Sequence, residues 1–207
     1  MLTDRDLLSY KAYGIKKLNA LKTISAATAG MLLITLGGMM PSSIIVINQS
    51  FKLEVFDLPS SWQVPVLILT GIVCGKESGL IAVVAYITLG LFYLPVFHGG
   101  GSVGYLATPE FGYIAGFIPA IWVIARIIEI NKRNSLTQLF IATFIGLTII
   151  HTIGILNLII GSLTNRWSKE FIELIITYSI ATFPVQLLLC PTVAILGKSI
   201  RKILIRE

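Results

Sequence analysis

The chain has 207 residues, 55% of them hydrophobic and 13% charged, with a net charge of +6 and a mean hydropathy of +0.86. A soluble domain carries roughly 25% charged residues, so the surplus apolar surface here must face lipid. The expected class is an all-α integral membrane protein, and a soluble enzyme or nucleic-acid-binding domain is excluded.

Asp, Glu, Lys and Arg are absent between Thr23 and Phe51, between Asn134 and Asn165, and between Leu174 and Gly197. A charge at a helix centre costs about 2.5–3.5 kcal/mol on insertion, so such gaps read as spans. Six transmembrane helices are predicted, at 23–47, 62–75, 78–94, 111–128, 136–162 and 171–197. They divide the chain into an N-terminal segment (1–22), a membrane domain (23–197) and a basic tail (198–207). The second span is short for a bilayer that needs roughly 20 residues. Cys74 and Cys190 lie in apolar segments without paired spacing and read as small core residues.

The 16 Lys and Arg residues orient these spans. Arg5, Lys11, Lys16, Lys17, Lys22, Lys76, Arg126, Lys132, Arg133, Lys198, Arg201, Lys202 and Arg206 fall on one side. Only Lys52, Arg166 and Lys169 fall on the other. The positive-inside rule then puts both termini in the cytoplasm. The basic charge serves orientation in the lipid bilayer, and no nucleic acid is expected as a partner.

Two motifs are decoys. Gly99, Gly101 and Gly104 spell G-x-G-x-x-G, but a Rossmann fingerprint needs a strand before it and a helix opening after it. Here a lipid-spanning segment precedes an outward-facing loop. "TVAILGKS" at 192–199 has Thr192 where a P-loop needs glycine, and it closes an apolar helix. No bound cofactor, nucleotide or metal is expected. An enzyme would need paired carboxylates, a metal cluster or a nucleophile with its base, and the spans offer none.

What remains suits a small-molecule pocket reached from outside, apolar and aromatic with a few hydrogen-bonding groups. The outer loops contribute Trp62, Gln63, His98 and Tyr105, and Tyr86 and Tyr113 flank them. Gly99, Gly100 and Gly101 permit positive φ and form either an anion-binding nest of backbone N–H groups or a tight helix connection. Trp62 stacks on a ligand or anchors the interface. His151 is the one ionisable group well inside a span, with Asn157 on the same helix and Gln186 on the sixth. Such residues are functional by default, the alternative being an interhelical hydrogen bond. In the first span Ala26 and Gly30 stand four apart, as do Ser25 and Ala29, a spacing that admits a close helix neighbour from a partner or from the protein itself.

"AYITLGLFYLPVFHGG" at 85–100 and "GYLATPEFGYIAGF" at 104–117 resemble the BioY family's Y-x-x-L-G-x-x-x-L-P-V-F-x-G-G and G-P-T-G-G-Y-x-x-G-F. "LPSSWQVPV" at 58–66 is similar to its V-P-x-T-x-Q segment. These are the biotin-binding S components of energy-coupling factor importers. The resemblance implies a non-enzymatic binding subunit for biotin uptake, energised by a transmembrane coupling protein and two ATPase subunits. It also implies that the small-residue face of the first span, here Ala26 and Gly30, meets the coupling protein. The chain departs from the pattern at "TPEFGY", with Glu110 and Phe111, and at "PVQLLL", where Gln186 and Leu189 replace the Asp and Lys of P-G-D-x-x-K. Without that lysine, a carboxylate is neutralised by other donors, with the Gly99–Gly101 amides and His98 as candidates, or the ligand is another vitamin. A membrane protein without transport activity is the remaining reading.

The topology has a direct test. Cysteines at Ser102 and beside Lys169 should react with an impermeant thiol reagent in intact cells, and one at Ser135 should not. Labelling at Ser135 alone would reverse the orientation.

Overall fold

The computed structural model describes residues 4–47, 51–97, 100–130 and 135–205, and side chains from Leu18 onward. The first helix, α1, runs Asp4–Met39. Its buried positions Ala27, Gly30 and Ile34 form a narrow stripe, while Leu32, Leu33 and Leu36 remain exposed. The expected first span at 23–47 is therefore corrected at its end. Gly37 and Gly38 weaken the last turn, and Pro41 lacks the N–H and clashes with the preceding turn. The β-branched run Ile44–Ile47 then favours extended backbone. Strand β1 (Pro41–Ile47) pairs antiparallel with β2 (Leu53–Ser61), with Ile45 opposite Val55 and Ile47 opposite Leu53. The fold is thus mostly helical rather than all-α.

Helix α2 (Gln63–Phe92) is broken at Gly75, whose φ of 73° and ψ of −174° lie in a region open essentially to glycine. The chain reverses there. The Gln63 amide donates to the Tyr86 hydroxyl, although a straight helix would separate the two by about 34 Å. Gly71 and Gly79 meet across the reversal, with the Gly79 Cβ position 3.9 Å from the Gly71 Cα. The expected spans 62–75 and 78–94 correspond to the two arms. Arg201 donates from the chain's far end to the Ile72 carbonyl at 2.8 Å, which satisfies an acceptor that the broken helix leaves open. Lys76 lies 5.5 Å from the centre of the Trp122 ring at the same end.

Helices α3 (Phe111–Ala115) and α4 (Phe117–Ile130) join through the helical residue Gly116. Helix α5 (Leu136–Leu163) opens on a capping box between Ser135 and Gln138. Helix α6 (Phe171–Ile175) passes through a π-type turn at Ile176–Ile180 into α7 (Thr182–Ile205). Five stretches among the described residues are long and apolar enough to cross a membrane: Leu18–Met39, Gln63–Phe92, Phe111–Ile130, Leu136–Leu163 and Phe171–Leu204. The core lies between α2, α4 and α5, with Leu67, Ile72, Ile121, Ile124, Leu139 and Leu147 fully enclosed.

Gly75→Ala should lower stability by about 1–3 kcal/mol through backbone strain, since a Cβ there meets no neighbour within 4 Å. Gly104→Ala, with only a 3.5 Å contact to Ser102, is the control expected near neutral in thermal unfolding of the detergent-solubilised protein.

Candidate functional site

The site lies at the end of the bundle that carries the β1–β2 hairpin. His151 projects from the middle of α5 and is 5% exposed. Its Nε2 lies 3.0 Å from the Gln186 Oε1 on α7, and its Nδ1 lies 3.4 Å from the Ser179 hydroxyl. The Tyr113 hydroxyl is 2.5 Å from the same serine. Gln186 donates its amide to the Ser60 hydroxyl at 3.2 Å, at the end of β2. A carbonyl oxygen only accepts, so the imidazole donates from Nε2. A neutral ring then accepts at Nδ1 from Ser179, which accepts from Tyr113. The result is one directed chain across α3, α5, the π-type turn, α7 and β2. Phe183 and Tyr113 enclose the imidazole edge-on at centroid distances of 5.0 and 5.6 Å. Extra residues in a π-type turn re-aim side chains, and this one turns both Tyr178 and Ser179 toward α3 and α5.

One step along α5, Asn157 donates to the Pro109 carbonyl at 3.1 Å. Tyr178 donates to the Glu110 carboxylate, which ties the loop before α3 to the π-type turn. A second cluster begins where β2 enters α2. Gln63 reaches the Tyr86 hydroxyl, which donates to the Val96 carbonyl at 3.3 Å. Phe97, Tyr105 and Phe117 surround the fully buried Tyr86. Burial, and then the nearby Glu110 carboxylate, push the Tyr105 phenol far above its ordinary range, so it stays neutral. The corner 60–63 links the two clusters, with the Ser61 hydroxyl accepting from the Gln63 backbone at 3.4 Å.

The predicted residues divide accordingly. Tyr113, His151 and Gln186 meet in one group, with Asn157 beside it, and Gln63, Tyr86 and Tyr105 meet in the other. Trp62 is half-buried at the corner, its N–H on the Met40 carbonyl and its own carbonyl 3.0 Å from the Gly37 Cβ position. His98 and Gly99 lie outside the described residues. Gly100, at φ 138°, exchanges both backbone hydrogen bonds with Phe97, so its N–H is committed to a closed turn. Gly101 presses on Pro95 and on the Gly90 carbonyl, each 2.7 Å from where a Cβ would stand. Both described glycines therefore serve the tight connection. Gly30 turns inward, its Cβ position 2.6 Å from the Thr70 methyl, and the Ala26 carbonyl faces the Cys74 thiol at 3.6 Å. That pair packs α1 on α2, while Ser25 and Ala29 are exposed. Sequence reasoning missed Ser60, Tyr178, Ser179 and Phe183. Ser179 lies in a charge-free stretch but is not ionisable, so the logic that selected His151 did not reach it.

The family model described as the BioY family matches residues 16–206. The chain belongs to the BioY family. A probable biotin transporter BioY of Lysinibacillus sphaericus is 28% identical over 149 residues, covering 70% of this chain and 76% of its own. The biotin transporter BioY of Thermotoga maritima is 31% identical over 139 residues, covering 65% and 80%. The fold is also that of a solved S-component for biotin from an ECF-type ABC transporter. That structure has a TM-score of 0.68 and 19% identity over 89% of this chain and 93% of the other.

Gln186→Leu should lower stability by about 1–3 kcal/mol, because it leaves the buried His151 donor without an acceptor. Gln186→Leu combined with His151→Leu should cost less than the sum of the single changes, and a double-mutant cycle in thermal unfolding measures the difference.

Proposed function

We propose that this chain is the substrate-binding membrane subunit of a biotin importer, with no chemistry performed on its ligand. The observation that carries the reading is the uncharged chain Tyr113–Ser179–His151–Gln186–Ser60, enclosed by aromatic rings at one end of a lipid-facing bundle. A ureido group presents both donors and acceptors. Amide, hydroxyl and imidazole groups answer it without the cost of burying an ion. The BioY relatives support biotin as the ligand.

In this reading the ring system of the ligand sits among Tyr113, His151, Asn157 and Gln186. Trp62, Gln63, Tyr86 and Tyr105 hold the hairpin corner above it, and Gly100 and Gly101 close the outer side. Both arms of α2 cross the bilayer, which gives six crossings with both termini in the cytoplasm of a prokaryotic cell. Energy comes from a coupling transmembrane protein and two ATPase subunits. The coupling protein docks on α1, where Ser25 and Ala29 face outward over the inward-packed Ala26 and Gly30.

The purified protein should bind labelled biotin saturably, with competition by unlabelled biotin and none by riboflavin or thiamin. Gln186→Leu should weaken binding about tenfold or more, as expected for loss of a buried polar contact. Binding of another vitamin in place of biotin would reassign the ligand, consistent with Gln186 and Leu189 standing where the family pattern has Asp and Lys.

A further inference from the structure

The binding residues proposed above, Tyr113, His151, Asn157 and Gln186, include no Lys or Arg, yet biotin carries a carboxylate. Farther along α5, at the same end of the bundle, lies a cavity of about 310 Å³ that the proposed site does not use. Its wall is rigidly built. Asn165 turns the chain at φ 52°, and the Arg166 N–H donates to the Gly161 carbonyl at 2.8 Å. The Trp167 ring lies directly on Gly161 and donates from Nε1 to the Leu158 carbonyl at 3.2 Å. The Arg166 guanidinium stands 5.6 Å from the centre of that ring. Lys169 also lines the cavity, but its charge is matched by Glu173 at 2.6 Å. Among the described residues, Arg166 makes no ion pair. Leu174 and Tyr178 also line it; the Tyr178 hydroxyl is bound to Glu110, and the next residue, Ser179, belongs to the group around His151.

We propose that this cavity is a first-contact subsite for a small apolar molecule bearing one carboxylate. Arg166 receives the anion and Trp167 receives the aliphatic part, before the ligand passes Tyr178 to the residues around His151. The positions support this order. His151, Gly154 under the Tyr113 ring, Asn157 and Gly161 under Trp167 run along one side of α5, and about 15 Å of helix separates the first from the last. A guanidinium held over an indole keeps its planar donors outward for a carboxylate, and a cation at a cavity mouth raises the encounter rate of anions.

The inference rests on the biotin reading, and the experiment separates their failures. Association rates of biotin and of the neutral biotin amide are measured by stopped flow on the purified protein at low and physiological salt. Arg166→Ala and Arg166→Gln should slow biotin about tenfold at low salt and leave the amide within about twofold, and Arg166→Lys should keep most of the biotin rate. In the wild type, salt should slow biotin and not the amide. Equal slowing of both ligands, or a biotin rate indifferent to Arg166 and to salt, overturns the subsite and leaves the proposed site around His151 standing. If the wild type binds neither ligand, the biotin reading falls and the subsite falls with it.

Discussion

Everything at the site depends on how closely other elements approach α5, and that closeness is set by positions with no side chain. The Tyr113 ring occupies the space where a Gly154 Cβ would be, Trp167 does the same at Gly161, and Ile124 at Gly146. The approach is reciprocal at Gly112, which presses on Asn157, and at Gly116, whose Cβ position is 3.0 Å from the Ile150 Cα. Between lipid-facing helices there is no hydrophobic driving force, so association depends on dense packing and on polar contacts. Helix α5 supplies both along one side. Its glycines admit the aromatic rings, and His151 and Asn157 supply the hydrogen bonds between them.

The same accounting explains the two ends of the molecule. At the end with the Gly75 reversal, the broken helix leaves carbonyls without helical partners, and Arg201 donates to that of Ile72 while Lys76 lies over the Trp122 ring. At the opposite end the chain leaves regular α-helical geometry, in the hairpin and in the π-type turn. Irregular backbone is tolerated at membrane depth only where protein or a cavity surrounds it. A binding site belongs at the end where such backbone is concentrated.

The helices were legible because lipid excludes charge so strongly: the gap from Asn134 to Asn165 brackets α5 to within a residue or two. The hairpin was not, because Ile44–Ile47 is as apolar as a helix segment and only Pro41 argues against helix there. The reversal at Gly75 fell on the last residue of the second predicted span, with Lys76 marking the turn, but that one glycine carries it was visible only in the backbone angles. In the site, His151, Gln186 and Tyr113 were legible as scarce polar groups in apolar helices. Ser60 and Ser179 were not, since a serine often satisfies its hydroxyl on its own backbone and draws no attention. The inward turn of Gly30 was open for a related reason. Spacing defines a small face, but not which neighbour it meets.

The bond between Gln186 and Ser60 ties the outer hairpin to α7, and the other half of the same amide faces the His151 Nε2. An amide cannot swing away with the hairpin and still present its oxygen to the imidazole. Displacement of the hairpin therefore frees Gln186 to flip, and a flipped amide offers the ring a donor instead of an acceptor. One amide thus couples the place of the outer hairpin to the hydrogen-bond roles of a histidine on α5.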